Sequence, residues 1–371
     1  MSGSVVSLTA VADAGASFVG WSGDVSGTAA SVDVTVGSAP VAVTATFTDA
    51  PPPPDPEAEI DVWYGSSQEF GANGIPQRWV QILGNASDTD GVASLTYRLN
   101  GGAPQGLEIG PDNRRLEYAG DFNVEIDRAD LNTGANTVEI TMTDSLGNQT
   151  VENVTVTWTP TTLAAPTSPT TIDWSSGDLD DLVQIVDGKW DVNPAGQLHT
   201  TEVGYDRVVA IGDESWTDYE VEVPFTIDAI GPRAGAPLSG DPLVGFGLRW
   251  NGHGETGTQP NWGFWPTGAF GWYTLERGGR LELLANNGSP ADFFNGITLQ
   301  LGTTYVMKAQ VEDVTGGTAY RFKVWEQGTA EPGWQTEVID TEGDLVTSGS
   351  ILLIAHHFDI RFDDLMIRPV P

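Results

Sequence analysis

Apolar residues in this chain recur at every second position, and nowhere do they keep helical spacing for three turns. The alternation is strict near the start: Val6, Leu8, Ala10, then Val32, Val34, Val36, then Val41, Val43, Ala45 and Phe47. A period of two puts successive side chains on opposite faces of an extended strand, so these runs predict short strands with one buried face. Forty-five glycines and 23 prolines provide the turns between them. The chain is therefore expected to be all-β, and its 371 residues are enough for two or three domains. It contains no cysteine, so disulfides and thiolate metal sites are excluded.

Two stretches interrupt the pattern. Pro51-Pro52-Pro53-Pro54-Asp55-Pro56 has almost no backbone donors to give a sheet and predicts an extended spacer. Pro160 to Pro169 is a second connector rich in Pro, Thr and Ala. The expected organisation is three tandem β domains over residues 4–49, 58–159 and 170–371, joined by linkers at 50–57 and 160–169. No 18-residue apolar stretch predicts a membrane span. Met1-Ser2-Gly3 runs straight into a strand pattern and is set aside; the chain is expected to be a piece of a longer exported protein, monomeric or part of a longer surface protein.

The first block centres on Phe18-Val19-Gly20-Trp21-Ser22-Gly23-Asp24 and closes on Val43-Thr44-Ala45-Thr46-Phe47. It resembles small bacterial surface repeats with an F-x-G-W-S-G-D core, which implies a spacer module with Trp21 plugging a minimal core. In the second block, strands are predicted near 78–83, 94–99, 122–127, 137–143 and 151–158. Asn100-Gly101-Gly102 and Asp144-Ser145-Leu146-Gly147-Asn148 read as hairpin turns. Its closing hairpin, Val138 to Val156, resembles that of bacterial immunoglobulin-like domains and implies a sandwich with a positioning role. Arg114-Arg115 reads as a solvated pair, and Gly120-Asp121-Phe122-Asn123 as a turn.

Sixteen basic against 51 acidic residues give a formal net charge of −35, and no Lys or Arg precedes Arg78. Such a surface repels nucleic acid and anionic membranes, both of which need cations from the protein. It suits a salty medium and neutral or cation-bridged partners, or serves solubility alone.

Nine of 13 Trp and all four His lie beyond residue 170. Gly188-Lys189-Trp190-Asp191-Val192, Trp216-Thr217-Asp218-Tyr219, Tyr320 to Trp325 and Phe362-Asp363-Asp364-Leu365 follow one another there. In that order they resemble concanavalin A-like (laminin G-like) domains. The resemblance implies a two-sheet jelly roll from a family of sugar-binding modules, glycosidases and lyases, so fold alone leaves function open. It also implies a structural calcium held by carboxylates beside the first strand. Asp173, Asp363 and Asp364 are the candidates, with ordinary strand-end carboxylates as the alternative.

Strand parity locates a candidate binding face. In Val244 to Trp250 the large apolar residues share one face, leaving Gly245, Gly247 and Arg249 opposite. Either the glycines clear a groove floor or they let a sheet bend. In Gly271 to Arg277, Tyr273 and Leu275 turn inward, so Trp272, Thr274 and Glu276 turn outward. His253, Trp262 and Trp265 lie on the loop between these strands, as rim contacts for a ligand or as a cap on the core. Only one of His356 and His357 can face the groove, and His356 is the candidate. Aromatic faces beside Arg, His and Glu suit sugar rings, which offer apolar C–H faces and hydroxyls. The expected function is non-catalytic polysaccharide binding by a secreted or cell-surface protein. A glycosidase lacks its carboxylate set here. A lyase finds only faint support in Gln197-Leu198-His199 and Tyr320 to Gln327. A structural spacer without sugar binding is the third reading, and no catalytic residue is assigned.

Overall fold

A computed structural model describes residues 3–12, 16–49, 57–112, 114–231, 240–275, 278–341 and 346–370. These residues are organised almost entirely as antiparallel β-structure, as the period-two pattern requires. In the first block, Ser4–Thr9 pairs with Ser31–Val36 and Ala16–Gly23 with Val43–Asp49. Trp21 is half-buried there, packed 5.3 Å from Phe18, which meets Phe47 at 5.6 Å. No helix among the described residues is long and apolar enough to cross a membrane.

The second block is a sandwich. One sheet orders Asp121–Asp127, Trp79–Ser87 and Glu59–Val62; the other orders Ser67–Phe70, Gln149–Trp158, Gly134–Asp144, Val92–Leu99 and Gln105–Leu107. Val80, Ile82, Phe122 and Val124 of the first meet Leu95, Val138, Ile140 and Val156 of the second. Residues 120–123, read above as a turn, instead run from the turn into the Asp121–Asp127 strand.

The third block is the expected jelly roll. Its seven-stranded sheet runs Gln184–Asp187, Arg207–Ile211, Ser350–His356, Leu243–Trp250, Ala269–Thr274, Arg280–Ala285, Ala291–Asn295. A nine-stranded sheet built around Tyr219–Ile230, Thr304–Val314 and Gly317–Glu326 packs against it. Val221, Val223, Phe225, Met307 and Phe322 from that sheet bury with Val244, Phe246, Leu248, Tyr273 and Leu353. At His357, in left-handed backbone at φ 52°, the chain passes from Ser350–His356 in the first sheet to Phe358–Phe362 in the second. Strand pairing breaks at Asp363-Asp364, between Phe358–Phe362 and Leu365–Arg368.

The second and third blocks are fastened by a buried polar interface. Arg115 is not solvated: its guanidinium is fully enclosed, with Nε 2.6 Å from Asp187 Oδ2 and Nη1 2.8 Å from Glu125 Oε1. Glu125 Oε2 accepts from Asn261 N and Nδ2, both at 2.8 Å, and Asn123 Nδ2 donates to Asp187 Oδ1 at 2.8 Å. Trp79 Nε1 donates to the His253 carbonyl at 2.7 Å, and Gln184 Nε2 to the Trp79 carbonyl at 2.7 Å. The connector is docked as well, since Asp213 Oδ2 accepts from both Ile75 N and Leu163 N at 3.0 Å. Enclosed charges survive only when paired and hydrogen-bonded, and this network gives each one a partner from the other block. Arg115→Ala is therefore expected to cost about 3–5 kcal/mol, the usual loss when one partner of a buried pair is removed. Residues 160–371 alone should melt well below residues 58–371 in calorimetry, and equal melting temperatures would refute the shared interface.

Candidate ligand-binding face

Register across the seven-stranded sheet defines its outer face, the one turned away from the nine-stranded sheet. One row crosses it through Val208, Ile354, Gly245, Trp272, Glu282 and Phe293. The row beside it runs His356, Leu243, Thr274, Arg280 and Asn295. Ala210, Leu352, Gly247, Phe270 and Leu284 form the row on the other side. Gly245 and Gly247 thus face outward as parity required. A Cβ on Gly245 would stand 2.5 Å from Trp272 Cβ, and one on Gly247 would stand 3.0 Å from the Phe270 ring. The glycines therefore admit neighbouring aromatic side chains rather than leave an empty floor.

Arg249 does not stand on this face. Register shifts between Leu248 and Trp250, and Arg249 takes φ 51°, a left-handed conformation that disfavours a side chain with Cβ. The bulge carries Arg249 inside, 0 % exposed, with Nη2 2.7 Å from Asp313 Oδ1, Nε 3.0 Å from the Thr217 carbonyl and N 2.7 Å from Tyr219 Oη. It turns Trp250 onto the outer face instead, in a cluster with Val208, Ala210, Phe270 and Leu352. One inserted residue inverts every later side chain, which is why parity failed at the end of this strand and held before it.

Trp272 is outward and half-buried. Its ring lies 5.4 Å from Phe270 at 29°, and its Nε1 donates to Glu282 Oε2 at 2.8 Å. Arg280 in turn holds Glu282 Oε1 and lies 5.0 Å over the Phe293 ring. The indole is therefore fixed in orientation while part of its surface stays open. Glu276 lies outside the described residues.

The 251–267 loop covers one end of the face. Trp265 meets Phe270 edge-on at 5.1 Å, and Phe264 does so at 5.5 Å. Trp262 remains 42 % exposed, with the Arg114 guanidinium 4.2 Å over its ring. His253 is not a rim residue. It is 2 % exposed between Trp250 and Phe264, and neither ring nitrogen has a hydrogen-bond partner. Burial, reinforced by the Arg115 charge, holds its pKa well below the ordinary 6.5.

His356 is outward by register and buried against Asp206, whose Oδ1 lies on His356 Nε2. Tyr205 stacks on the imidazole at 4.6 Å and 29°, and the neighbouring Asp206 charge, with burial, raises the Tyr205 phenol above its ordinary range. Trp272, Trp265, Trp262 and His356 are thus associated with this face and its rims, whereas Arg249 and His253 are enclosed. The sequence reading missed Tyr205, Asp206, Arg280, Glu282, Phe293 and Arg114. Parity from Leu281 and Leu283 would have turned Arg280 and Glu282 outward; nothing local marks the others.

The carboxylates proposed for calcium feel one another's charge, but their oxygens do not gather within 4.8 Å. Asp363 Oδ1 accepts from Gln197 Nε2 at 2.6 Å, and Asp173 Oδ1 accepts from Ser175 N at 2.9 Å and Ser175 Oγ at 2.6 Å. Asp364 is raised by burial and by the charges of Asp173 and Asp363. Among the described residues, the acidic oxygens that gather within 4.8 Å belong to Asp88, Asp90 and Asp144 in the second block. The residues that hinted at a lyase are also apart. Both stand on the nine-stranded sheet, with three strands between them: Tyr320 is enclosed in the core, while His199 is half-buried between Asp191 and Asp359, at 3.3 and 3.0 Å.

A family model described as the divergent InlB B-repeat domain matches residues 1–51. No curated protein matches the chain. Among solved structures, the carbohydrate binding module CBM66 from Bacillus subtilis is similar at 12 % identity and TM-score 0.32, over 54 % of this chain and 96 % of that one. Peanut lectin is similar at 9 % and 0.34, over 56 % and 98 %. A xylan beta-1,4-xylosidase from Bacillus halodurans is similar at 11 % and 0.36, over 79 % and 63 %. At identities near one in ten and TM-scores below 0.5, these likenesses carry no functional argument.

The enclosed His253 sets a pH dependence of stability. Below pH 6.5 the unfolded imidazole binds a proton that the folded one refuses, so the native state loses stability as pH falls. The loss approaches about 1.4 kcal/mol per pH unit until the folded group titrates. Denaturant melts between pH 7.5 and 5 should show this slope, and His253→Phe should flatten its His-dependent part; an unchanged slope would contradict the assignment.

Proposed function

We propose that the outer face of the seven-stranded sheet binds a polysaccharide non-catalytically, with Trp272 as the platform for a sugar ring. The observation that carries this reading is the fixed, half-open indole of Trp272, braced by Phe270 behind and by Glu282 and Arg280 beside it. A ring already immobilised loses little entropy when a ligand stacks on it, and adjacent carboxylate and guanidinium groups are suited to hydroxyls. The first block is read as a spacer in an exported surface protein. The second, read as immunoglobulin-like, is more than a spacer because it is fused to the jelly roll through Arg115. A structural calcium at Asp173, Asp363 and Asp364, on the side of the nine-stranded sheet, is a separate proposal on which this reading does not depend.

Removing the platform tests the proposal directly. Trp272→Ala should lower retention by a polysaccharide ligand at least tenfold in affinity electrophoresis. Because the ring is only half-buried, the variant should lose less than the about 3–5 kcal/mol typical of an enclosed aromatic. Glu282→Gln should weaken retention less, since the amide still accepts from the indole. Undiminished retention by Trp272→Ala, or no retention of any plant or algal polysaccharide by the unaltered chain, would defeat the reading.

A further inference from the structure

In a chain with 51 acidic residues, almost every arginine among the described residues has found a carboxylate. Among the described residues, Arg78, Arg98, Arg115, Arg128, Arg249, Arg280, Arg321, Arg361 and Arg368 all lie within ion-pair distance of one. Arg207, which lacks one, is enclosed and donates from Nε to the Glu202 carbonyl at 2.9 Å. Arg114 is the other exception and differs from it in being partly open to solvent. Its guanidinium carbon lies 4.2 Å over the ring of Trp262, a side chain of the third block that is itself exposed. A cation–π contact consumes none of the guanidinium's five N–H donors, so they stay available to an acceptor.

The position of this group is set from both sides. Asp112 Oδ1 accepts from the backbone N–H groups of Arg114, Arg115 and Leu116 at 2.8–2.9 Å, which fixes the turn. The next side chain, Arg115, is locked into the interface. Further along, Glu117 Oε2 accepts from Tyr205 N at 3.0 Å and Tyr118 Oη donates to the Val203 carbonyl at 2.7 Å. The 112–118 turn thus bridges the aromatic loop that carries Trp262 and the Tyr205–Asp206 turn beside His356, at the border of the outer face. Arg114 acts on the Tyr205 phenol electrostatically, consistent with that placement.

We propose that Arg114, supplied by the second block, reads a carboxylate on the polysaccharide, so that the face is completed by two domains and favours a mostly neutral glycan with scattered uronic acid groups. This rests on the sugar-binding reading above. A planar fork with no internal counter-charge matches a carboxylate through two parallel hydrogen bonds. A continuous polyanion is disfavoured, because the formal charge of −35 repels it along its length. An isolated carboxylate at contact meets Arg114 first, the remaining charges being screened beyond about 8 Å at physiological ionic strength.

The test uses the full chain in affinity electrophoresis against gum arabic, glucuronoxylan and a panel of plant and algal polysaccharides, each native and after reduction of its carboxyl groups to alcohols. Retention by a native glycan should fall about tenfold or more on reduction. Arg114→Gln should lose the same factor on the native form and nothing on the reduced form, with Arg114→Lys in between and melting temperatures unchanged. Equal retention of native and reduced glycans, or full retention by Arg114→Gln, overturns this inference while leaving the sugar face intact. If Arg114→Gln melts early, the native-to-reduced comparison on the unaltered chain still decides. No retention of any glycan overturns both.

Discussion

The enclosed guanidinium of Arg115 is the interaction on which the joined sandwiches depend. Its charge has left water entirely, and what offsets that loss is a set of oxygens drawn from two domains: Glu125 from the second, Asp187 and the Val186 and Asn261 carbonyls from the third. Two carboxylates against one cation leave the cluster formally negative, and burial drives Asp187 up even as Arg115 pulls it down. Asn123, Gln81 and the Asn261 N–H and amide donate the further hydrogen bonds that such a cluster needs. The arrangement specifies one docking geometry more than it adds stability, because an enclosed ion pair recovers little beyond its desolvation cost while any misregistered dock would leave a charge unpaired.

This explains why the all-β architecture was legible in the sequence and the partnership between blocks was not. Phe122, Val124 and Ile126 alternate with Asp121, Asn123 and Glu125, the signature of a strand with one face in a core and the other in water. Both faces are enclosed, because the polar set is satisfied across the interface instead of by solvent. A buried polar face and a solvated one have the same composition; only the partners differ, and those lie 60 residues or more along the chain. Arg114-Arg115 misleads for the same reason. Adjacent and alike in sequence, one is bolted into the interface and the other stacked on an open ring.

Parity served the binding face well up to the point where regular pairing ended. Gly245, Gly247 and Trp272 lie outward as the alternation required, and Val244, Phe246 and Leu248 inward. The bulge at Arg249 could not be seen, because a left-handed residue in a strand is usually announced by glycine or asparagine and here is an arginine. What holds it there is also distant: the Tyr219 hydroxyl on its N–H and Asp313 and Thr318 on its guanidinium. A residue kept in a disfavoured backbone by five or more hydrogen bonds is over-determined by its surroundings, and the outcome is that Trp250 rather than Arg249 reaches the outer face.

That inversion shapes the face itself. Trp250 arriving on the outer side fills the end of the sheet beneath the 251–267 loop in one cluster with Phe270, onto which Phe264 and Trp265 pack edge to face. Had Arg249 taken the position, the loop would have had a charge beneath it and no apolar floor to settle on. The filled tier seals His253 inside and leaves Trp272, one row further across, as an indole with an open surface and a hydrogen-bonded, fixed orientation. Packing one end of the face shut is thus what gives the other end a rigid backing. The platform at Trp272 and the loop that presents Trp262 to Arg114 are two products of a single bulge.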